Sequence, residues 1–416
     1  MNQNHEEATM KITSWIKPIF VILFSFIYLT NFAYAADKDL QSSAEDAQKK
    51  ATPQTIIPAP PTIDAKGYIL MDANTGLILA GKNIDNQMPP ASLTKLMTLY
   101  QIASALKANR LHMDDRVPVS EKAWRTGGSK MFIKIGDQVP VNSLIQGIAV
   151  VSGNDACVAI AEHVAGTEES FADLMNHSAK VLGMNNTHYT DATGLPDKNH
   201  YTSPRDLAIL TKAIVQQFPE YYGWYSQKEF QYNGIKQPNR DILLWRDPSI
   251  EGMKTGFTDD AGYCLVSTAS RNGMRLISVV MGAPSTKSRA NSSLALLNYG
   301  YRFYETKKLY SANSLIQEPR VWFGKDKNVP LGVQKDLYVT LPIGQFDKLQ
   351  ATLEVDQKIK APVAKGQALG KIVLKLNDKD YMVQPLVALN DDPKGGIFTR
   401  MKDRIGLLFN NLIHRS

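Results

Sequence analysis

The chain switches between two kinds of apolar spacing. Short β-like runs at 67–72 and 77–80 flank Asn74-Thr75-Gly76, whose residues suit a tight turn, so the pattern predicts a hairpin. Pro89-Pro90-Ala91 stops the extended chain. Leu93, Leu96, Met97, Tyr100 and Ala103 follow at helical spacing and predict a helix from Ser92 to Ala108. Mostly apolar helices are predicted over 142–151 and 155–164, on either side of Ser152-Gly153-Asn154. Another opens at Ser203-Pro204, where Ser203 suits the N-cap and Pro204 the first turn. Strand patterns at 263–269 and 275–281 are joined by Arg271-Asn272-Gly273, whose Asn-Gly step favours a hairpin turn, and 291–303 reads as helical again. Helices on both sides of antiparallel strands predict an α+β domain over residues 63–313.

Near Ser314 the composition shifts. Short alternating runs punctuated by Pro and Gly, such as 337–341 and 368–376, predict a small all-β domain over 314–392 with no chemistry of its own. In the last segment, 393–416, Ile397, Met401, Ile405, Leu408 and Leu412 repeat every three or four residues, and Phe398 and Phe409 broaden the stripe. Arg400, Lys402, Arg404 and Arg415 supply a polar face. This is the pattern of a basic amphipathic helix suited to an anionic membrane surface. Asp391-Asp392-Pro393 and Gly395-Gly396 read as a hinge that releases it from the β-domain.

The N-terminus carries an export pattern over 1–35. Lys11 and Lys17 precede an apolar run from Ile19 to Phe32, and Ala33-Tyr34-Ala35 suits cleavage before Ala36. The run is short for a span, which needs roughly 20 apolar residues. Glu6 and Glu7 are out of place in such a leader, so translation is expected to start at Met10. Residues 36–62, rich in Ala, Gln, Pro and charge, read as a flexible leader. The mature product is therefore expected outside the cytoplasm, held on the outer face of the inner membrane. Apolar residues make up 44% of the 416, which supports a sizeable core and argues against wholesale disorder. The net charge of +7 suits an anionic membrane or wall polymer; no basic run interleaves with aromatics, so nucleic acid is not an expected partner. Cys157 and Cys264 sit in apolar surroundings and read as two free, buried thiols, with no metal-ligand spacing around them.

Three short motifs carry candidate chemistry. In Ser92-Leu93-Thr94-Lys95 the first and last residues share a helix face, so the Lys95 amine reaches the Ser92 hydroxyl. Serine attacks well only when a base takes its proton, and lysine serves as that base only when burial or a nearby cation depresses its pKa. In Ser152-Gly153-Asn154 the hydroxyl can relay a proton to a leaving group and the amide can hold a peptide carbonyl. In Lys254-Thr255-Gly256 the lysine adds positive charge beside Lys95, Thr255 can donate to a carboxylate, and the glycine lets substrate approach the strand. Each motif alone is weak. Together, in this order, they match the penicillin-binding proteins and serine β-lactamases.

The longer matches narrow that set. Pro90-Ala91-Ser92-Leu93-Thr94-Lys95-Leu96-Met97-Thr98, Met131-Phe132, Gly136-Asp137, Ser152-Gly153-Asn154-Asp155-Ala156 and Gly252-Met253-Lys254-Thr255-Gly256 resemble the low-molecular-mass penicillin-binding proteins of the type-5 D-alanyl-D-alanine carboxypeptidase group. Class A lactamases carry Ser-Asp-Asn instead, and their Glu-x-x-Leu-Asn is not found here. The resemblance implies a penicillin-binding transpeptidase-like domain with an antiparallel sheet between helices, then a β-rich domain and a membrane anchor. It implies Ser92 as acylated nucleophile, Lys95 as its base and Ser152 as a proton relay, with Asn154, Lys254, Thr255, Gly256 and Phe257 around the substrate. The backbone N–H groups of Ser92 and Phe257 would form the oxyanion hole, and Arg289 falls where the family places a carboxylate-binding arginine. The substrate it implies is a peptidoglycan stem peptide ending in D-Ala-D-Ala, with β-lactams as covalent inhibitors and no metal or organic cofactor. Phe257 stands where members often have His, and the loop Thr126-Gly127-Gly128-Ser129 is shorter than in some. His200 lies in a loop bordering the family's cleft and reads as a surface histidine. The rival readings are a D,D-endopeptidase or β-lactamase on the same site, and a non-catalytic wall-binding protein.

Overall fold

The computed structural model describes residues 57–413, with side chains through Leu407. The export signal, the expected start at Met10, leader residues 36–56, and the side chains of Leu408, Phe409, Leu412 and Arg415 lie outside the described residues.

Five strands form the central sheet: β1 (Gly67–Asp72), β2 (Ile78–Lys82), β3 (Ile250–Thr258), β4 (Gly262–Arg271) and β5 (Met274–Ala283). Their order is β2-β1-β5-β4-β3, with every neighbouring pair antiparallel. Asn272 and Gly273 both take positive φ, 50° and 80°, as the turn between β4 and β5 requires. Side chains alternate across the sheet. Ile69, Met71, Ile277 and Val279 join a core with Leu96, Leu99, Ile148 and Ile160. Leu70, Leu276 and Val280 join a second core with Leu296 and Leu297. The first core carries α1 (Lys95–Lys107), α2 (Val141–Ala149), α3 (Asn154–Ala165) and α4 (Pro204–Gln217); the second carries α5 (Thr286–Phe303). Ser203 caps α4 by accepting from the Asp206 N–H, with Pro204 in the first turn. Cys157 and Cys264 are free and buried.

The end of the expected leader is tied down. The Tyr299 hydroxyl donates to the Pro58 carbonyl, and Ile57 packs on the second core.

The β-domain begins earlier than its composition suggests. Strand β6 (Tyr304–Tyr310), ahead of the expected boundary at 314, pairs antiparallel with β7 (Leu337–Pro342). Polar residues such as Glu305, Lys307 and Lys308 mask β6, because only Thr306 of the strand is buried. Its hydroxyl donates to Asp72 of β1, which fixes the β-domain to the end of the central sheet. Strands β8 (Leu349–Val355), β9 (Ala368–Leu376) and β10 (Lys379–Ala388) make most of the other sheet.

The terminal helix α6 (Ile397–Ile413) docks by its polar side. Asp403 is buried, accepts from Arg320 at 2.8 Å and from the Phe323 N–H at 2.7 Å. The apolar stripe points away: Ile397 is 72% exposed, Phe398 84% and Met401 57%. The segment expected as a hinge is instead pinned. Asp392 is buried and pairs with Val363 through two backbone bonds, and the Gly395 N–H donates to Phe323 O. A Cβ on Gly395 would lie 2.3 Å from the Gly324 carbonyl, so this glycine serves close backbone packing and not flexibility. Among the described residues no helix is long and apolar enough to cross a membrane.

Candidate active site

Ser92 does not sit in the α-helix that its apolar spacing predicts. Ala91–Thr94 forms a 3-10 turn that runs into α1 at Lys95. Residues i and i+3 eclipse in such a turn, which brings Lys95 over Ser92. Lys95 Nζ lies 3.0 Å from Ser92 Oγ. Ala91 takes φ 47°, a left-handed conformation that costs a non-glycine residue energy and that its neighbours must hold. Gly194 holds it from one side, since a Cβ there would meet the Ala91 carbonyl at 1.8 Å.

The other neighbours of Lys95 Nζ are acceptors. Asn154 Oδ1 lies at 2.7 Å and the Thr193 carbonyl at 2.6 Å. Asn154 Nδ2 donates to the Gly127 carbonyl at 2.7 Å, so a flipped amide would set donor against donor at Lys95 and acceptor against acceptor at Gly127. A neutral amine spends its two hydrogens on these two acceptors, which leaves its lone pair for the Ser92 hydroxyl. Lys95 is fully buried, and burial pushes its pKa down, opposed by negative charge at Cys157, Asp191 and Asp155 and aided by Arg240. The Cys157 thiol is itself pushed up to about 12 by burial, so it is uncharged near neutrality and its opposition falls away there. Lys254 is pushed well down, first by burial and then by the positive charge of Lys95 and Arg240.

Ser152 and Asn154 come from the break between α2 and α3. Ser152 takes φ 63°, is buried, and its hydroxyl has no partner among the described residues. A buried hydroxyl left in this way is available to a bound molecule. Asp155, next in the chain, is buried and accepts from the N–H groups of Met131 and Phe132 at 3.0 and 2.9 Å, which anchors the 131–133 segment beside the break. The Ser129 carbonyl accepts from the Asn154 N–H, so the short 126–129 loop carries the asparagine from two sides.

Strand β3 is an edge of the sheet and closes the opposite wall. Lys254, Thr255 and Gly256 on it are buried. A Cβ on Gly256 would lie 3.1 Å from the Pro90 carbonyl and 3.2 Å from Ser92 N, so the strand packs closely on the serine's own turn here, and Gly256 also lines the cleft. Phe257 is half exposed and packs on Tyr263, with ring centroids 4.4 Å apart. Arg289, from the first turn of α5, is buried under β3 and donates to the Gly256 carbonyl at 3.0 Å.

Ser92, Ser152, Thr255, Phe257 and Arg289 line one open cleft of about 590 Å³, and Arg240 lines it with them. A larger cleft of about 760 Å³ touches Ala91 and Gly194 but none of the motif side chains, so the chemistry belongs to the smaller one. Sequence reading missed Arg240, which donates to Ser129 Oγ at 2.6 Å, and the Thr193 carbonyl. Neither lies in a motif, and a backbone acceptor leaves no trace in residue type. His200 is not at the surface: it is buried, with Nε2 2.9 Å from Thr94 Oγ1 and Nδ1 3.1 Å from Asp191. Its partners lie up to 106 residues away in the chain, so loop composition could not reveal them.

Comparison with known proteins shows which family the chain belongs to. Residues 54–285 match the family model for D-alanyl-D-alanine carboxypeptidase, and residues 304–394 match that for the penicillin-binding protein 5 C-terminal domain. The D-alanyl-D-alanine carboxypeptidase DacA of Escherichia coli (strain K12) is 43% identical over 366 residues, 86% of this chain and 91% of that one. The crystal structure of penicillin binding protein 5 from Haemophilus influenzae superposes with a TM-score of 0.76 at 44% identity, covering 81% of this chain and all of that one. Penicillin-Binding Protein D2 from Listeria monocytogenes, in its ampicillin-bound form, matches with a TM-score of 0.55 at 29% identity over 59% of this chain and all of that one. The chain belongs to the D-alanyl-D-alanine carboxypeptidase family, as a low-molecular-mass penicillin-binding protein of type 5.

Proposed function

We propose that the protein is a serine D-alanyl-D-alanine carboxypeptidase that removes the terminal D-Ala from peptidoglycan stem peptides through an acyl-enzyme on Ser92. One observation carries the reading: the Lys95 amine is buried, has two fixed acceptors, and lies 3.0 Å from the Ser92 hydroxyl. Ser92 Oγ attacks the carbonyl carbon of the penultimate D-Ala while Lys95 takes its proton. The oxyanion is held by the Ser92 and Phe257 N–H groups. The C–N bond breaks, and the departing amine receives a proton from Lys95 by way of Ser152, whose hydroxyl has no partner among the described residues. Water then cleaves the ester. The substrate's terminal carboxylate lies toward Thr255 and Arg289, which share the cleft; Asn154 and Lys254, expected to bind substrate, are buried and not among its lining residues. A β-lactam presents an equivalent acyl centre and carboxylate and acylates the same serine.

Residues 63–303 form the catalytic part and 304–392 the β-domain. The mature protein works in the periplasm, held on the inner membrane through the exposed apolar stripe of α6 and its basic neighbours Arg400, Lys402 and Arg404. Incubation with pentapeptide, cross-linked dimer and penicillin tests the activity. Free D-Ala from pentapeptide is the expected main product; dominant dimer cleavage or rapid penicillin turnover replaces the reading with an endopeptidase or a lactamase.

A further inference from the structure

The acceptor side of Lys95 is held by residues outside the three motifs. The loop 191–194 and the nearby His200 reach the serine turn and α1 at three points. The Thr193 carbonyl accepts from Lys95 Nζ, the Ala192 carbonyl accepts from the Thr98 hydroxyl at 2.7 Å, and His200 Nε2 meets Thr94 Oγ1. One carboxylate organises the loop. Asp191 Oδ1 accepts from the Thr193 N–H at 2.6 Å, the Thr193 hydroxyl at 2.7 Å and the Gly194 N–H at 2.7 Å. Its other oxygen meets His200 Nδ1 at 3.1 Å. Thr94, Thr193 and His200 are all buried.

We infer that Asp191 and His200 form a positioning pair: Asp191 folds the 191–194 turn so that the Thr193 carbonyl faces Lys95, and His200 ties that turn to Thr94 between the nucleophile and its base. The pair touches neither substrate nor reacting atoms and acts through Lys95. Without it the amine loses a fixed acceptor, and its lone pair is no longer directed at Ser92.

Asp191 also contributes charge. Burial alone would raise its carboxyl, but the bond and charge of His200 and the Thr193 and Gly194 donors hold it well below the usual range. It is therefore an anion at working pH. The charged and titratable groups around Lys95 are Asp155 and Cys157 on α3, Asp191 on its loop, Arg240, and Lys254 on β3. Cys157 is an uncharged thiol near neutrality, which leaves the charge of Asp191 and Asp155 opposing burial and Arg240. Removing the charge of Asp191 thus favours the neutral amine while loosening its position.

The inference rests on Ser92 and Lys95 as nucleophile and base, and the test separates the two. Acylation by a fluorescent penicillin is followed against pH in the full-length protein, with rates normalised to the active sites each preparation titrates. Asp191→Asn is expected to lose about tenfold to a hundredfold in plateau rate from misplacement. Its acidic limb moves to lower pH, so it keeps a larger share of its own plateau at the wild-type midpoint. Asp191→Glu keeps the limb while losing rate, and Asp191→Ser, a second neutral variant, follows Asn if that protein is unstable. A neutral variant with wild-type rate and limb overturns the pair, as does a neutral variant whose only change is a smaller active fraction. Wild-type protein that takes no label overturns the nucleophile reading instead.

Discussion

Lys95 Nζ stands 3.0 Å from Ser92 Oγ, and each of its two other neighbours can only accept a hydrogen bond. That arrangement fixes the direction of the lone pair as well as the distance. Replacing Lys95 by Ala should slow penicillin acylation by about 10²–10⁴-fold, the range for loss of a positioned base. Lys95→Arg should do no better, since guanidinium stays charged. Stopped-flow labelling decides this, and an active Arg variant rules out a neutral base.

The same burial sets a pH dependence. The reactive form is the uncharged amine, so acylation rises with pH through the pKa of Lys95, which burial holds below that of free lysine. A rate profile whose rising limb lies at the value of free lysine contradicts this.

Lys254 supplies a stability test. Its folded pKa lies below its unfolded one, so the unfolded chain binds more protons between those two values, and stability rises with pH across that window. Lys254→Met removes the cost of burying this amine. The variant should melt higher than wild type at pH 7, with the difference shrinking toward pH 10, while acylation falls. Thermal scans at several pH values measure it, and a pH-independent difference contradicts the account.

Gly256 and the Ser92 turn share one gap. An added Cβ would press on Pro90 O, Ala91 Cβ and Ser92 N at 3.1–3.2 Å. Gly256→Ala should cost about 1–3 kcal/mol of stability by overpacking and displace the nucleophile, with acylation reduced by about tenfold or more. Denaturant titration and labelling rates read the two effects separately.

Much of this was legible in the sequence because the decisive elements are local. The Ser92–Lys95 spacing, the Ser152 break, the Asn272-Gly273 turn and the Ser203 cap each depend on residues a few positions apart. What escaped depends on distant partners or on backbone. Thr193 contributes only its carbonyl, and His200 is buried by contacts with Thr94 and Asp191. Gly395 looks like a hinge because glycine serves flexibility and close packing alike, and only its distance to Gly324 decides between them. Strand β6 is polar because Thr306 alone needs burial, so its charged neighbours hide it.

The terminal helix gives a separate prediction. Phe398→Asp with Met401→Asp should release the mature protein from anionic vesicles while leaving penicillin acylation unchanged, because both side chains point away from the β-domain. Sedimentation with and without vesicles reads the outcome, and undiminished binding removes the apolar stripe as the anchor.

The central claim is that the Ser92 hydroxyl is the atom acylated. Mass spectrometry of the protein after exposure to benzylpenicillin, with peptide mapping, tests it most directly. The account predicts one adduct per chain, on Ser92, and none in Ser92→Ala. An adduct on any other residue, or one that survives the substitution, contradicts it.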